Sequence, residues 1–459
     1  MPSRLPFRTL AVAIAFAPTA ALAQAPTPSR ATIVARLDSI AESGVKAGRV
    51  VGLTVAVLQG DDTLLLKGYG KADVELNVPT PANAVYEIGS VTKQFTAAAI
   101  LQLRDAGKLD LDADMSRYLP DFPMQGRKIS VRRLLDHTSG IKGITELSEF
   151  PDLSRRALPR DSAIALIARQ RFEFEPGEAQ VYNNSAYILL GLIIEKQSGM
   201  SYEDYIEKNI FAKLGMTRSR YCNNTEVVEG RAHGHTYAGR ELRLADYADL
   251  RWPYAAGSLC STAGDMVTWL QALHGGKVLS AKSYTEMTTP ARLADGTPTR
   301  YGMGISLAND PRGVRLISHG GAIEGFLSHA SWYPDQRVTV VVLMNSTGPI
   351  SPAGLASELA AQIIPPVSRP VRPFAGNASA LVGTYTGPGR GRPMTVVITK
   401  GSDGGILVSP GGVPARPAAW VERLTFQSGP MEISFDTRQP GAPVLHVDGG
   451  TSHYVLKRQ

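Results

Sequence analysis

Apolar residues recur at helical spacing between Ala31 and Lys46 (Ile33, Val34, Leu37, Ile40, Val45), which predicts an amphipathic helix. Val50 to Leu58 is β-rich, Gly60-Asp61-Asp62 reads as a turn, and Thr63 to Tyr69 is again strand-like, so a hairpin is expected next. The run Ala97-Ala98-Ala99-Ile100-Leu101-Gln102-Leu103 is apolar on nearly every face and predicts a buried helix ending near Gly107. Residues 130 to 215 keep a mostly helical pattern, with candidate helices at Val131 to Leu135, Asp161 to Arg169, Ser185 to Ser198 and Tyr202 to Phe211. Strand-like segments return near Ile317, at Ala330 to Tyr333 and at Val338 to Met344, and Leu355 to Ile364 predicts a last helix. The pattern is that of an all-helical block inserted between β-rich parts.

A break follows. Residues 365–373 carry four prolines and predict a stiff, extended linker. Beyond it, Thr395 to Thr399, Ile406 to Val408, Leu424 to Phe426 and Tyr454 to Leu456 are short β-like runs separated by Gly-rich turns. Residues 374–459 therefore read as a small antiparallel β domain, and 24–364 as a larger unit before it. A chain of 459 residues is too long for one ordinary core, which agrees with two units.

The first 23 residues stand apart. Arg4 and Arg8 form a basic start, Leu10 to Ala17 an apolar stretch, and Ala21-Leu22-Ala23 a small-x-small cleavage site. This reads as a cleaved signal peptide over 1–23, with residues 24–28 disordered after it. It predicts a soluble exported protein, periplasmic or secreted, since no later segment is long and apolar enough to span a bilayer. The formal charge of +7 sits at the two ends, because residues 369–459 hold ten Lys/Arg against five Asp/Glu. There is no basic stripe with interleaved aromatics, so nucleic-acid binding is not expected. The basic tail is compatible with contact to anionic envelope polymers such as peptidoglycan, or with ordinary compositional drift. Export permits a disulfide between the two cysteines, Cys222 and Cys260, though two unrelated buried thiols fit the sequence equally well.

Candidate chemistry centres on Ser90-Val91-Thr92-Lys93. A helix starting at Val91 or Thr92 brings the Lys93 amine back beside the Ser90 hydroxyl. Serine needs a neighbouring base to become a nucleophile, and a lysine depressed by burial can be that base. Two further stretches supply partners. Tyr182-Asn183-Asn184 offers a phenol as proton shuttle and an amide that can orient a substrate carbonyl or N–H. His319-Gly320-Gly321-Ala322 offers a strand edge whose backbone can approach a ligand closely and present an N–H to a developing oxyanion.

The ordered trio of Ser90-x-x-Lys93, Tyr182-x-Asn184 and His319-x-Gly321 resembles the serine β-lactamase and penicillin-binding-protein superfamily. The likeness is to the branch holding class C β-lactamases, D-Ala-D-Ala carboxypeptidases and β-lactamase-like esterases. Asp136-His137-Thr138-Ser139-Gly140, Leu189-Leu190-Gly191 and Gly257 to Asp265 look like that branch too, and the resemblance covers roughly residues 30 to 365. Leu381 to Tyr385 and the β tail resemble the lipocalin-like domain appended to many relatives. The resemblance implies an α+β fold: an antiparallel sheet covered by helices, an all-helical subdomain, a site in the cleft between them, and a β-barrel-like domain after it. It implies that Ser90 forms an acyl-enzyme while Lys93 and Tyr182 move protons, with the choice of base open between them. The backbone N–H groups of Ser90 and Ala322 would form the oxyanion hole. Asn184, His319, Gly320 and Gly321 would contact a small ester, a peptide or a β-lactam. No metal or organic cofactor is implied.

The third stretch departs from the class C pattern, where Lys-Thr-Gly and a following Ser hold the substrate carboxylate. His319, Gly320 and Ala322 keep a backbone donor but drop the fixed cation and the hydroxyls, so efficient β-lactam hydrolysis is not expected. The expectation is a serine hydrolase acting on small esters or D-amino-acid-containing peptides, with a class C-like β-lactamase and a non-catalytic envelope-binding protein as alternatives. A Ser-His-Asp reading of Asp136-His137 fails for want of a Gly-x-Ser-x-Gly elbow. The aspartates of 110–114 lack a calcium-loop glycine and read as caps, and His233-x-His235 lacks a third metal ligand.

Overall fold

The computed structural model describes residues 28–157, 159–367, 372–437 and 443–459. The signal-peptide reading lies outside these residues, as does most of the 24–28 segment and the middle of the 365–373 linker.

Strand Gly52–Gln59 pairs antiparallel with Asp62–Asp73 on one side and with Val338–Met344 on the other. Phe326–Tyr333 and Ile317–Ile323 extend the sheet from there, and Val78–Pro79 closes the far edge, giving six strands. All pairings are antiparallel, with Leu53 opposite Met344 and Phe326 opposite Ile323. Successive side chains of a strand point to opposite faces. Val55, Val57, Val340 and Val342 accordingly pack with Leu37 of helix Arg30–Lys46 and Leu359 of helix Pro352–Ala360. Ala56, Leu58, Val341 and Leu343 pack with Phe95 and Trp269 on the other face. Both faces being covered is why strands Gly52–Gln59 and Val338–Met344 read as unbroken apolar runs.

The helix predicted after Ser90 runs Thr92–Asp105, and its residues Thr92 to Leu101 are all buried. It is sandwiched between the sheet and the helical block, whose helix Asn184–Ser198 lies against it. Helix Val131–Leu135 of the block is as expected, and Arg160–Ala168 and Asn184–Ser198 lie within one residue of the expected Asp161 to Arg169 and Ser185 to Ser198. One boundary differs: the helix expected over Tyr202 to Phe211 is α-helical over Tyr202–Ile206 and continues as a π-helical turn, Glu207–Phe211. Thr262 caps helix Ala263–His274 through the Asp265 N–H. Asp114 caps a single turn, and among the described residues no cluster could hold a metal ion. Cys222 and Cys260 are joined in a disulfide, their Cα atoms 5.7 Å apart.

The C-terminal strands, from Gly383–Gly387 to His453–Arg458, form a closed eight-stranded antiparallel barrel. Phe426, Phe435, Tyr385, Leu445 and Ile433 fill its interior, so it is a packed core rather than a ligand cup. It docks on the larger unit near the cleft. Gln180 and His453 exchange two backbone hydrogen bonds, the Ser452 hydroxyl accepts from the Tyr182 N–H, and a buried Arg300–Asp448 pair closes the contact at 2.9 Å. Among the described residues no helix is long and apolar enough to cross a membrane.

Candidate active site

Ser90 sits in the single 3₁₀ turn Gly89–Val91 that leads into helix Thr92–Asp105. The i, i+3 spacing places the Lys93 Nζ 3.2 Å from the Ser90 Oγ. Lys93 is fully buried. Its Nζ also meets the Asn184 Oδ1 and the Ala256 carbonyl, each at 2.8 Å. Burial drives its pKa well below the ordinary lysine value, and the nearby Arg390 cation pushes it further, against a smaller pull from Glu146. A neutral amine has two N–H donors and one lone pair. The ammonium form donates to all three oxygens, Ser90 Oγ included; in the neutral form the two carbonyl-type acceptors would take the donors and leave the lone pair facing the Ser90 hydroxyl.

Tyr182 lies over the same amine, with the Lys93 Nζ 4.8 Å from its ring centroid. Its hydroxyl is buried and makes no hydrogen bond among the described residues in this resting arrangement. Burial raises its pKa, opposed only in part by the Ser90 hydroxyl and by Arg390. The phenol is thus held protonated, while burial and Arg390 disfavour the lysine's charged form. Asn184, the first residue of helix Asn184–Ser198, accepts from Lys93 and donates through Nδ2 to the Thr145 Oγ1 at 3.1 Å. Asn183 caps the helix, which fixes where Asn184 points.

The strand Ile317–Ile323 runs past the Ser90 turn. Gly321 is required there, because a Cβ would run into the Ile88 carbonyl and the Ser328 hydroxyl. Ser328 donates to that same Ile88 carbonyl at 2.8 Å, tying the sheet to the turn. Through this close approach the Ala322 backbone abuts Gly89, beside the nucleophile. Gly320 has only ordinary contacts around it. His319 is buried and turned inward: its Nε2 meets the Tyr301 hydroxyl at 2.9 Å and its Nδ1 the Gly320 carbonyl at 2.6 Å. Burial and the Lys93 charge lower its pKa to about 3, so it is neutral. With both nitrogens engaged and no charge, it offers a substrate carboxylate nothing to bind.

His137 is structural. Its φ is +64°, its Nδ1 accepts from the Asn183 N–H, and its ring packs among those of Tyr182, Tyr187 and Tyr301. Asp136 accepts from the Thr138 N–H and hydroxyl instead of pairing with it. His233 lies beside Asp73 and His235 beside the Asn345 carbonyl, away from Ser90.

A cavity of about 580 Å³ opens on Ser90, Asn184 and Ala322. Ile144, Phe150, Ile188 and Trp252 give it an apolar wall, and Arg243, Asp246 and Glu324 lie along its lining. That volume suits a small organic molecule. The residues that motif reading did not reach are the Ala256 carbonyl, Thr145, Glu146 and Arg390. A backbone carbonyl leaves no signature in a sequence, and Arg390 lies in a Gly/Pro-rich turn of generic appearance, Gly387-Pro388-Gly389-Arg390-Gly391.

A sheet-and-helix unit with a serine and a buried lysine in its cleft defines a serine hydrolase of the β-lactamase and penicillin-binding-protein type. Residues 37–364 match the β-lactamase family. Penicillin-binding protein 4* of Bacillus subtilis (strain 168) is 32% identical over 306 residues, spanning 64% of this chain and 67% of its own length. The chain belongs to the β-lactamase family. The D-amino acid amidase from Ochrobactrum anthropi SV3, solved with L-phenylalanine, superposes with a TM-score of 0.63 at 26% identity, over 72% of this chain and 97% of its own. The octameric penicillin-binding protein homologue from Pyrococcus abyssi superposes with a TM-score of 0.65 at 24% identity, over 92% of this chain and 99% of its own. That last likeness is one of fold, and it extends across the barrel.

Proposed function

We propose that the protein is an exported hydrolase that forms an acyl-enzyme on Ser90 with small esters or D-amino-acid amides and peptides. Lys93 is the base in this reading. Its lone pair takes the Ser90 proton as Oγ attacks the substrate carbonyl. The Ser90 and Ala322 N–H groups receive the oxyanion. Tyr182 gives its proton to the leaving group, and the proton taken up by Lys93 restores the phenol. Water then cleaves the ester on Ser90. Asn184 orients the acyl group, and the apolar wall holds its side chain. One observation carries the assignment: the Lys93 amine is buried, its pKa is driven down, and its Nζ lies within hydrogen-bond distance of the Ser90 Oγ, with the Asn184 Oδ1 and the Ala256 carbonyl as its other partners. The likeness to the D-amino acid amidase from Ochrobactrum anthropi SV3 supports an amide substrate here.

The test is labelling. A fluorophosphonate should add to Ser90, read by mass spectrometry, and Ser90→Ala should lose the label and at least about 10³-fold of p-nitrophenyl ester turnover. Retained turnover would place the chemistry elsewhere, and no adduct with any acylating probe would favour a binding protein that keeps the fold. β-Lactam hydrolysis is the second reading, favoured by the family. Neutral, engaged His319 counts against it, so nitrocefin should turn over about tenfold or more slowly than the best ester, the cost of one missing charged contact. Nitrocefin at equal efficiency would reverse that order.

A further inference from the structure

The third stretch lacks a cation, but besides Arg243 on the cavity lining, a cation from the other end of the chain, Arg390, lies against Tyr182. The first hairpin of the barrel, between strands Gly383–Gly387 and Met394–Lys400, extends onto the helical block. Its Gly391 N–H donates to the Glu173 carboxylate at 3.1 Å, and its Gly391 carbonyl accepts from the Lys142 Nζ at 3.1 Å. Lys142 and Glu173 pair with each other at 2.8 Å, mostly buried, so the N–H and the carbonyl of Gly391 are both clamped by one ion pair. Gly391 has a φ of +72°, and a Cβ on it would press on the Glu146 side chain. The loop is therefore seated on the block, and it carries Arg390 to a set place.

That place is the outer side of Tyr182. The Arg390 guanidinium lies 5.4 Å from the Tyr182 ring centroid, and the Lys93 Nζ lies 4.8 Å from the same centroid. The Arg390 Nε donates to the Glu146 Oε1 at 2.5 Å. Among the described residues its two Nη groups make no hydrogen bond, and its side chain is 44% exposed while Glu146 is 10% exposed. Glu146 also accepts from the Thr145 hydroxyl, which lies against Asn184. One edge of the guanidinium is thus held by a buried carboxylate, and the fork of the other edge is open. A planar fork with two free N–H pairs matches a carboxylate bidentately.

We propose that Arg390 of the barrel is the carboxylate anchor of this active site, so that the enzyme selects substrates whose leaving group carries a free carboxylate, as the C-terminal residue of a peptide does. The leaving-group side is assigned because Arg390 sits on the ring of Tyr182, the residue that protonates the leaving group; the proposal rests on that reading of Ser90, Lys93 and Tyr182. Selection then belongs to the barrel, while acylation belongs to the larger unit.

The experiment compares two esters of one acyl group on the full-length protein. One leaves as phenol and the other as 3-hydroxybenzoate, whose phenolic oxygen is of similar basicity, so the two differ mainly in the added carboxylate. Wild type should favour the carboxyphenyl ester. Arg390→Ala should lower the ratio of the two kcat/KM values by about tenfold or more, chiefly by raising KM for the anionic ester, the scale of one charge-assisted contact. Arg390→Lys should recover part of the ratio, and Glu146→Gln, which leaves the cation uncompensated, should raise it. A ratio unmoved by Arg390→Ala in an enzyme that turns over the phenyl ester through Ser90 overturns the anchor and spares the hydrolase reading. An equal loss on both esters also overturns it, since that is the mark of a structural role. If Ser90 takes no fluorophosphonate label, or labels but turns over neither ester, the hydrolase reading falls and the anchor with it.

Discussion

In the proposed mechanism Lys93 has to be neutral to act, and the groups around it bias when it is. Its neutral fraction rises with pH through the lowered pKa, so kcat/KM for a neutral ester should climb with pH and level off well below the range of an ordinary lysine. A profile from pH 5 to 10 checks this, and a rate still climbing without levelling at pH 10, as an unperturbed lysine of about 10.4 would give, would remove Lys93 as the base. Arg390→Ala should move the limb to higher pH, because the cation that repels the ammonium is gone. Lys93→Met and Tyr182→Phe should each cost about 10²- to 10⁴-fold in kcat, the range of general acid–base catalysis. His319 should leave no mark on the profile, since it stays neutral above about pH 4 with a pKa of about 3. Of these residues the Ser90–Lys93 pair was legible from spacing, because one helical turn sets its geometry. The inward turn of His319 was not, because it depends on Tyr301 and on burial against the tyrosine cluster.

Strand Ile317–Ile323 serves the site by how closely it passes the Ser90 turn, and Gly321 sets that distance. Gly321→Ala should force the strand off Ile88, carry the Ala322 N–H away from the oxyanion position and lower kcat by about 10²-fold, with KM changed far less. Steady-state kinetics on a p-nitrophenyl ester checks it, and unchanged kcat would deny the strand an oxyanion role. Elements of strong periodicity were readable in advance: helix Arg30–Lys46, strand Val338–Met344 and helix Asn184–Ser198 differ from expectation by a residue or none. Short strands were not. Tyr86–Glu87, Arg220–Tyr221 and Leu259–Ser261 form one small sheet from segments far apart in sequence, and two or three residues hold no period to read. The π-helical turn Glu207–Phe211 was missed for a related reason, since α and π turns share the same apolar pattern over so short a span.

At the scale of the molecule, buried titratable groups couple stability to pH. His137, His319 and His329 are all buried, with pKa values lowered by desolvation, to about 3 for His319 and about 4 for His329. The unfolded chain protonates them near pH 6.5 while the folded protein does not, so their contribution is full above that pH and is lost as pH falls toward 4. Asp136 opposes this, its pKa being raised to about 6, so that acid stabilises its folded form between about 6 and 4. With four such histidines, His274 at about 3 included, against Asp136 and the raised Glu87 and Glu173, urea unfolding at pH 5 should give a stability lower than at pH 7 by a few kcal/mol, each histidine costing up to about 2. Greater stability at pH 5 would show that the histidines are solvated. The barrel belongs to this scale as well. Short β-runs and Gly-rich turns were enough to expect a small antiparallel domain after the prolines, but not its closure, which needs Tyr385 opposite Arg458 across the whole domain. Local order in this protein follows from local pattern: a helix starting at Thr92 puts Lys93 under Ser90 in any fold, because one turn spans three to four residues. Assembly of the cleft is different. Tyr182, the Ala256 carbonyl, Ala322 and Arg390 arrive from separate parts of the chain, and their approach is set by non-local packing and by Gly321 and Gly391 admitting close contact. The Ser90–Lys93 pair was therefore written in four residues, while Arg390 was placed beside Tyr182 by the docking of a second domain.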